Sequence, residues 1–526
     1  MLVALVGGLL LGLATPPAIV PLGEWLVVPA LAVWFAIASG GRRPLLHSYL
    51  FGCVHMAWFS WSVRHVLLPA YVAIVVVGGL YYLLATACVR GTPKVWRPVG
   101  FAVAVAGTFW LRAAMPEIHY PHGQPCHCLY QWPALMRIVT VGGEPLMNGL
   151  LALCAATTVG VWSSWRVAKP SWRRAGSWLG LAWLLLVAVA ATGSWLASGL
   201  GAPQQDRDPI RIAAIEPGLH PFDLWQMSRA ERGRQFSRRF LEPTRRALAA
   251  QPTPDLVLWP ESSVDEAPDV REVEAGRIAM LGGRFPATAA RLVVGANLRT
   301  GDETTPTAYL LELPNGRILA HHDKQRLVPG GEFLPLVGLL PDGMAASLRA
   351  TFQEALGAPP DCRPGVPRPP MTTAAGLKFG ALLCYDNAFP APAAAQVEQG
   401  AEFLVVLSNE AWYRGGAELS QMVAMTVVRA CENVVPIVRC TMDGHSVAVR
   451  SSGVVDAGLP LQPAPRADAR ILQVSLDRGS GNVPPLAWLR RLTGPLLALL
   501  TALGAAHALV LRVRLATART ASAAGA

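Results

Sequence analysis

Three side chains of chemically useful type stand where short apolar runs stop. Glu261 follows Leu256-Val257-Leu258-Trp259-Pro260, Lys324 follows His321-His322-Asp323, and Cys384 follows Gly380-Ala381-Leu382-Leu383. In open α/β sheets, ligands bind beyond the ends of strands. A thiol needs a base, and a carboxylate in a partly dry pocket has its proton affinity raised enough to serve. The thiolate then attacks a carbonyl, and a lysine can supply the fixed positive donor that the resulting oxyanion requires. Singly, each residue has a plainer reading: an exposed carboxylate, a solvated lysine, a small buried thiol packing like an apolar residue. Taken together, they point to covalent acyl chemistry on Cys384.

The elements around them read as a layered α/β domain. Ile210–Ile215, Asp255–Trp259, Arg291–Ala296, Tyr309–Leu313, Ile318–His321, Leu377–Cys384, Phe403–Leu407, Val434–Arg439, Val447–Val449 and Ile471–Val474 are strand-like. Trp225–Ala250 and Glu418–Asn433 have helical spacing, and Pro314-Asn315-Gly316 marks a hairpin turn. Alternation of strands and helices is the signature of α/β layers. The Pro- and Ala-rich segments Pro335–Thr372 and Leu459–Asp468 read as loops or lids.

On either side of this domain the chain is apolar. Of 526 residues 52% are hydrophobic, concentrated before about Leu200 and after Leu492. A helix needs about 20 apolar residues to cross a bilayer. That window predicts about eight spans: Leu2–Val20, Trp25–Ser39, Leu46–Val63, Leu68–Val89, Val99–Ala114, Val139–Ser163, Trp178–Leu200 and Thr493–Leu511. Pro16, Pro17 and Pro21 interrupt the start, which lacks the basic n-region and cleavage site of a signal peptide. The expected organisation is a membrane domain over 1–200, a catalytic domain over 201–488, and a last helix with a short tail over 489–526.

Charge sets the orientation. Arg42 and Arg43, then Arg90, Lys94 and Arg97, then Arg166, Lys169, Arg173 and Arg174, and finally Arg512, Arg514 and Arg519 all fall on one side if every span is real. The positive-inside rule makes that side the cytoplasm and puts the catalytic domain outside. Trp25, Trp96, Trp165 and Trp178 near span ends fit interfacial belts. The net charge of +11 is thereby explained without nucleic acid, for which no motif is present.

The nine cysteines are odd in number and scattered, so they are not a disulfide scaffold. Cys362, Cys431 and Cys440 lie in the outer domain, and catalysis requires Cys384 to be a free thiol. The segment from Met115 to Arg137 holds His119, His122, Cys126, His127 and Cys128. These are metal-ligand types, but their spacing matches no common zinc pattern, so the segment reads as a polar loop at the interface and no metal or other cofactor is expected.

Longer motifs surround the three residues. Trp259-Pro260-Glu261-Ser262, Asp323-Lys324 with Leu327-Val328-Pro329-Gly330-Gly331-Glu332-Phe333-Leu334-Pro335, Cys384-Tyr385-Asp386 and Ser408-Asn409-Glu410-Ala411-Trp412-Tyr413 occur in that order. Together they resemble the carbon–nitrogen hydrolase (nitrilase) superfamily. With spans on both sides, and Trp110-Leu111-Arg112 in the fifth, the whole chain resembles its membrane-embedded branch, the apolipoprotein N-acyltransferases. The resemblance implies an α-β-β-α sandwich outside the membrane and a Glu261–Lys324–Cys384 triad. It implies that an acyl chain passes from a phospholipid, usually phosphatidylethanolamine, through a cysteine thioester to the α-amino group of an apolipoprotein's lipid-modified N-terminal cysteine. In that scheme Glu261 is the base, Lys324 stabilises the tetrahedral intermediate and Cys384 is the nucleophile. Glu332 supports the site, Tyr385 flanks the nucleophile, and Trp225 matches a tryptophan on a mobile loop. Trp412 and Asp386 complete the surroundings, the enzyme acts as a monomer, and its partners are lipids and lipoproteins.

The chain departs from that pattern at Asp386, where the family usually has Glu, at Glu410, where it usually has Asp, and at Asp443-Gly444-His445, where an Asn-rich turn is expected. The competing readings are a membrane-tethered amidase with water as acceptor, and a transporter or scaffold keeping an inactive domain. The spans argue against the first, because hydrolysis of small amides needs no such base. The scarcity of intramembrane charges argues against the second.

Overall fold

The computed structural model describes residues 1–15, 23–166, 172–200, 208–264, 268, 270–301, 303–356, 361–414, 416–460 and 468–524. Two compact units emerge. One comprises Met1–Arg64, Leu68–Leu196 and Pro485–Ala526; the other comprises Ala197–Pro484 with His65–Leu67.

The first unit is helical. Helices stand at all eight expected places, and among the described residues five segments are long and apolar enough to cross a membrane: Gly23–Gly40, Leu68–Gly91, Ile138–Trp165, Gly176–Leu200 and Ala487–Ala518. Leu2–Ala14 is apolar but shorter, and the Pro16, Pro17 and Pro21 interruption lies outside the described residues. Pro44–Phe59 has only 16 residues, and Arg97–Ala114 carries Arg97 and Arg112. The helices pack around an aromatic centre in which Trp34 lies 4.6 Å from Tyr82 and 5.6 Å from Phe51. Arg112 is buried there, its guanidinium 4.7 Å from the Phe109 ring and donating to the His122 carbonyl. The helix Ile138–Arg166 is broken near its start by Gly142 and Gly143, the latter left-handed at φ 70, with Pro145 just beyond. Such a break re-aims the following turn.

The second unit is two six-stranded sheets. The first runs in the order β12-β1-β2-β3-β4-β5, with β1 Ile210–Glu216, β2 Leu256–Trp259, β3 Arg291–Thr300, β4 Glu303–Glu312, β5 Arg317–Asp323 and β12 Arg470–Leu476. The second runs β11-β10-β9-β8-β7-β6, with β6 Met371–Thr372, β7 Lys378–Leu383, β8 Phe403–Ser408, β9 Ile437–Thr441, β10 Val447–Val449 and β11 Val455–Gly458. The central strands β1–β2–β3 and β7–β8–β9 are parallel, and the flanking pairs are antiparallel. Strands alternate their side chains. Ile212, Leu258 and Leu310 therefore meet Phe379, Leu383, Val405 and Val438 between the sheets. On the outer face of the first sheet, Val257, Trp259 and Val294 pack against Phe240, Leu241 and Leu248 of the helical segment before β2. On the second sheet, helices Pro390–Glu398 and Glu418–Asn433 provide the cover. The result is the α-β-β-α sandwich of the nitrilase type.

Two local expectations need correction. The segment Pro335–Thr372, read as loop, contains a 15-residue helix, Asp342–Leu356. Its alanines, with leucine and methionine, favour helix. Ala345, Leu348 and Phe352 are its less exposed positions, at helical spacing. The continuous helix expected over Trp225–Ala250 is instead Pro221–Gln226, Arg229–Phe236 capped by Ser228, a π turn over Ser237–Leu241, and Glu242–Ala249. Strands β6 and β11 are too short to show in an apolar pattern.

Candidate active site

Glu261, Lys324, Glu332 and Cys384 are all positioned by strand ends or the turns just past them. The chain leaves β2 through Pro260 and passes so close to β3 that a side chain at Gly295 would meet the Glu261 backbone, its Cβ only 2.6 Å from Glu261 Cα. Glycine there lets Glu261 turn into the site, where it is 6% exposed. Lys324, immediately after β5, is fully buried and anchored by its backbone N–H on the Pro306 carbonyl at 2.8 Å. Its Nζ donates to Glu261 Oε1 at 2.9 Å and to Glu332 Oε1 at 2.5 Å. The second oxygens are also engaged: Glu261 Oε2 accepts from the Asn409 backbone N–H at 3.1 Å, and Glu332 Oε2 from Val328 N–H at 2.8 Å. A buried charge is tolerated when it is paired and its remaining valences are satisfied. An ammonium has three donors. Among the described residues two are used, so one can meet an oxyanion.

Cys384 starts a 3₁₀ turn over Cys384–Ala388, with a left-handed φ of 44. Non-glycine residues avoid that region, so the conformation must be held by its surroundings. Asp386 holds it. One carboxylate oxygen accepts from Leu383 N–H at 3.2 Å, and the other from Gln325 and Arg326 N–H at 3.1 and 2.7 Å. It thus ties the nucleophile turn to the chain just after Lys324. The shorter residue still reaches the backbone on both sides.

The electrostatics describe a protonated thiol near a carboxylate and an ammonium. Burial pushes the Cys384 thiol up to about 12; the Glu261 carboxylate adds to this, while Lys324 and a hydrogen bond from Ser408 pull it back. Burial pulls the Lys324 ammonium down, but Glu261 and Glu332 outweigh it and hold it well above its ordinary value. Burial raises Glu332 against the pull of Lys324. Asp386 is raised to about 7 by burial, despite Lys324 and three backbone N–H groups. Moving the thiol proton to Glu261 leaves the net charge of the pocket unchanged, which is how such a thiol can be ionised at modest cost.

The remaining expected residues fall into two groups. Tyr385 is buried with Ala388, Phe389, Met422 and Met425, its ring 5.1 Å from Phe389. Trp225 and Trp412 meet each other at 5.6 Å and both contact Phe222, with Trp225 45% exposed. None of the nine cysteines is in a disulfide. Of the His/Cys segment, Cys126 and His127 do join a third donor, Glu144 from beyond the helix break, all buried and within 4.8 Å of one another. These three could hold a borderline cation such as zinc, one ligand short of a closed tetrahedral site. A hydrogen bond of 2.7 Å between His127 Nε2 and Glu144 Oε1 already pairs two of them. Ser408 and Asn409 stand in the motif that follows β8, but the sequence assigned them no role, and Arg439 was unforeseen. Its available signal was a charge inside the apolar run Val434–Cys440.

With this geometry in place, similarity to known proteins can be weighed. Residues 231–480 match the carbon–nitrogen hydrolase family, and residues 7–157 match the apolipoprotein N-acyltransferase N-terminal domain. A curated relative named apolipoprotein N-acyltransferase from Geobacter metallireducens is 30% identical over 282 residues, covering 53% of this chain and 50% of its own length. One of the same name from Brucella melitensis is 25% identical over 464 residues, covering 87% of this chain and 81% of its own. The chain thus spans half the length of the first and about four fifths of the second. Among solved structures, an amidase of the nitrilase superfamily from Nesterenkonia is 21% identical, with a TM-score of 0.36, covering 54% of this chain and 94% of its own.

Proposed function

The chain belongs to the apolipoprotein N-acyltransferase family, and from that premise we propose that it moves an acyl chain from a membrane phospholipid, through a thioester on Cys384, to the α-amino group of a lipoprotein's diacylglyceryl cysteine. The observation that carries this reading is the buried Lys324 ammonium, 2.9 Å from Glu261 and 2.5 Å from Glu332 with one donor left, beside a thiol at the end of β7. Glu261 takes the Cys384 proton as Sγ attacks the ester carbonyl. The free Lys324 N–H stabilises the oxyanion. The tetrahedral adduct collapses, the lysophospholipid alkoxide leaves with the proton from Glu261, and the thioester remains. The acceptor amine then attacks the thioester and gives a proton to Glu261. The C–S bond breaks, and the departing sulfur is reprotonated by Glu261, which returns to the carboxylate. Glu332 holds Lys324 in line, Asp386 and Tyr385 hold the nucleophile turn, and Trp225 and Trp412 offer an aromatic face to the substrate.

The acyl donor in this reading is phosphatidylethanolamine. The enzyme is a monomer that crosses the cytoplasmic membrane eight times with the sandwich outside, as the one-sided Arg and Lys loops support. Purified protein incubated with phospholipid and a diacylated lipopeptide is expected to yield triacylated peptide by mass spectrometry, with an acyl adduct on Cys384 before the peptide is added. Free fatty acid without triacylated peptide would replace the transferase with a hydrolase.

A further inference from the structure

Cys384 is not held by the two carboxylates and Lys324 alone. Near it lies a second buried charge centre, built from β8, β9 and the helix Glu418–Asn433. Arg439 lies between Val438 and Cys440, both in the inter-sheet core, so strand alternation turns its side chain to the opposite face. It is fully buried. Its guanidinium donates to Ser408 Oγ at 3.2 Å and to Thr426 Oγ1 at 3.4 Å, and it pairs with Glu410, which is equally buried. Burial pulls Arg439 down to about 10, so it is still a cation at neutral pH.

Ser408 ends β8, one residue past the Leu383–Leu407 register pair, so it stands beside Cys384 across the parallel strands, and hydrogen bonding from its side chain lowers the Cys384 thiol. A hydroxyl has one proton and two lone pairs. When Arg439 donates into Ser408 Oγ, the single Ser408 proton is left to donate onward. Ser408 Oγ is also within 3.4 Å of Glu410 Oε1, which Arg439 pairs with, but that is longer than the roughly 2.5–3.0 Å of an ordinary O–H···O bond and leaves the proton weakly claimed there. The arrangement also accounts for Glu410 and for Gly444. A side chain at 444 would run into Glu410, its Cβ 3.1 Å from Glu410 Cβ and 3.3 Å from Cδ. The longer acid therefore fits because the turn above it carries no side chain.

We propose that Arg439 is a positioning residue for the nucleophile: with Glu410 as its counter-ion, it orients the Ser408 hydroxyl so that its proton points at Cys384 Sγ. The thiolate is needed twice in the proposed reaction, first as nucleophile and again as leaving group when the thioester breaks. A donor fixed at the sulfur favours it both times. The inference rests on the acyl-transfer reading only for that second use.

The test is alkylation of Cys384 by iodoacetamide, resolved by site with mass spectrometry across a pH series on the full-length protein. Three variants are compared: Ser408→Ala, Arg439→Lys, and the double change Arg439→Met with Glu410→Gln, which removes both buried charges so that neither is left unpaired. Ser408→Ala and the double variant are expected to slow Cys384 alkylation near neutral pH by roughly tenfold, the effect of about one unit in the thiol's proton affinity. Arg439→Lys, keeping the charge without the fork, falls between. In acyl transfer, kcat falls with KM unchanged. Alkylation profiles that coincide with wild type, even with a lowered Tm, would reduce Arg439 to a structural residue and overturn the proposal. If the profiles shift while wild-type protein makes no triacylated peptide, the function fails and the positioning role stands.

Discussion

One cysteine stands just past the end of β7 and another lies inside β9, and their surroundings differ. Cys440 sits inside β9, opposite Leu407, and is fully buried between the sheets. Among the described residues its sulfur hydrogen-bonds to backbone carbonyls, Ile215 O at 3.3 Å and Leu258 O at 3.4 Å. Burial holds it well above its ordinary value, Glu216 adds to this, and it packs as a small apolar residue. Cys384 is also buried, but it stands one residue past its strand in a left-handed turn. There it meets a lysine, a carboxylate and a hydroxyl. Burial and a carboxylate raise both thiols and a cation lowers both, Arg439 for Cys440 and Lys324 for Cys384; what separates them is place, inside a strand between the sheets or in the turn past a strand end. Strand-end position matters because it is where the ladder stops and side chains from several strands can converge.

The comparison can be broken most directly at the two sulfurs. Cys384→Ala should lower acyl transfer by at least about 10³-fold. Cys440→Ala should leave the rate within about twofold and lower Tm, by the roughly 1 kcal/mol that a small buried cavity costs. Loss of transfer in the second variant at unchanged stability would mean the wrong thiol has been assigned.

Next in size is Glu261→Gln. Transfer should fall about 10²–10⁴-fold with loss of the base. The same change removes the negative charge that raises Cys384, so alkylation of that thiol by a small electrophile should become faster, not slower. Both rates falling together would contradict the pairing of roles.

The smallest effect sharpens what burial without a partner does. His322, beside Lys324, is 1% exposed with neither ring nitrogen hydrogen-bonded, and burial lowers it to about 4; Asp323 opposes this, and Arg368 and His321 add to it. The folded value lies below the ordinary 6.5, so the unfolded chain takes up the proton first. The stability concerned is present above about pH 6.5 and is lost as pH falls through about 4, roughly 3 kcal/mol in all. His322→Leu should flatten the fall in Tm between pH 7 and 4. An unchanged slope would show that the imidazole finds a partner when it is charged.

Most strands, and the helix Glu418–Asn433 to the residue, were legible because apolar alternation and helical spacing are local signals. Glu261, Lys324 and Cys384 were legible as strand-end polar residues for the same reason. The helix Asp342–Leu356 was hidden because proline and glycine at its borders masked an alanine-rich interior. Glu144 could not be linked to His127 from spacing, since a break in the helix at Gly142 and Gly143 brings it there.

The sequence by itself thus determined where strands end, which chemical types stand there, and which stretches are apolar enough for a membrane. Only the tertiary structure decided who partners whom: Lys324 shared by Glu261 and Glu332, Glu261 fixed by an N–H 148 positions away, and Arg439 reaching Ser408 across 31. Those choices depend on which strand lies beside which, and pairing between distant strands is set by the packing of two whole sheets, not by any window of residues.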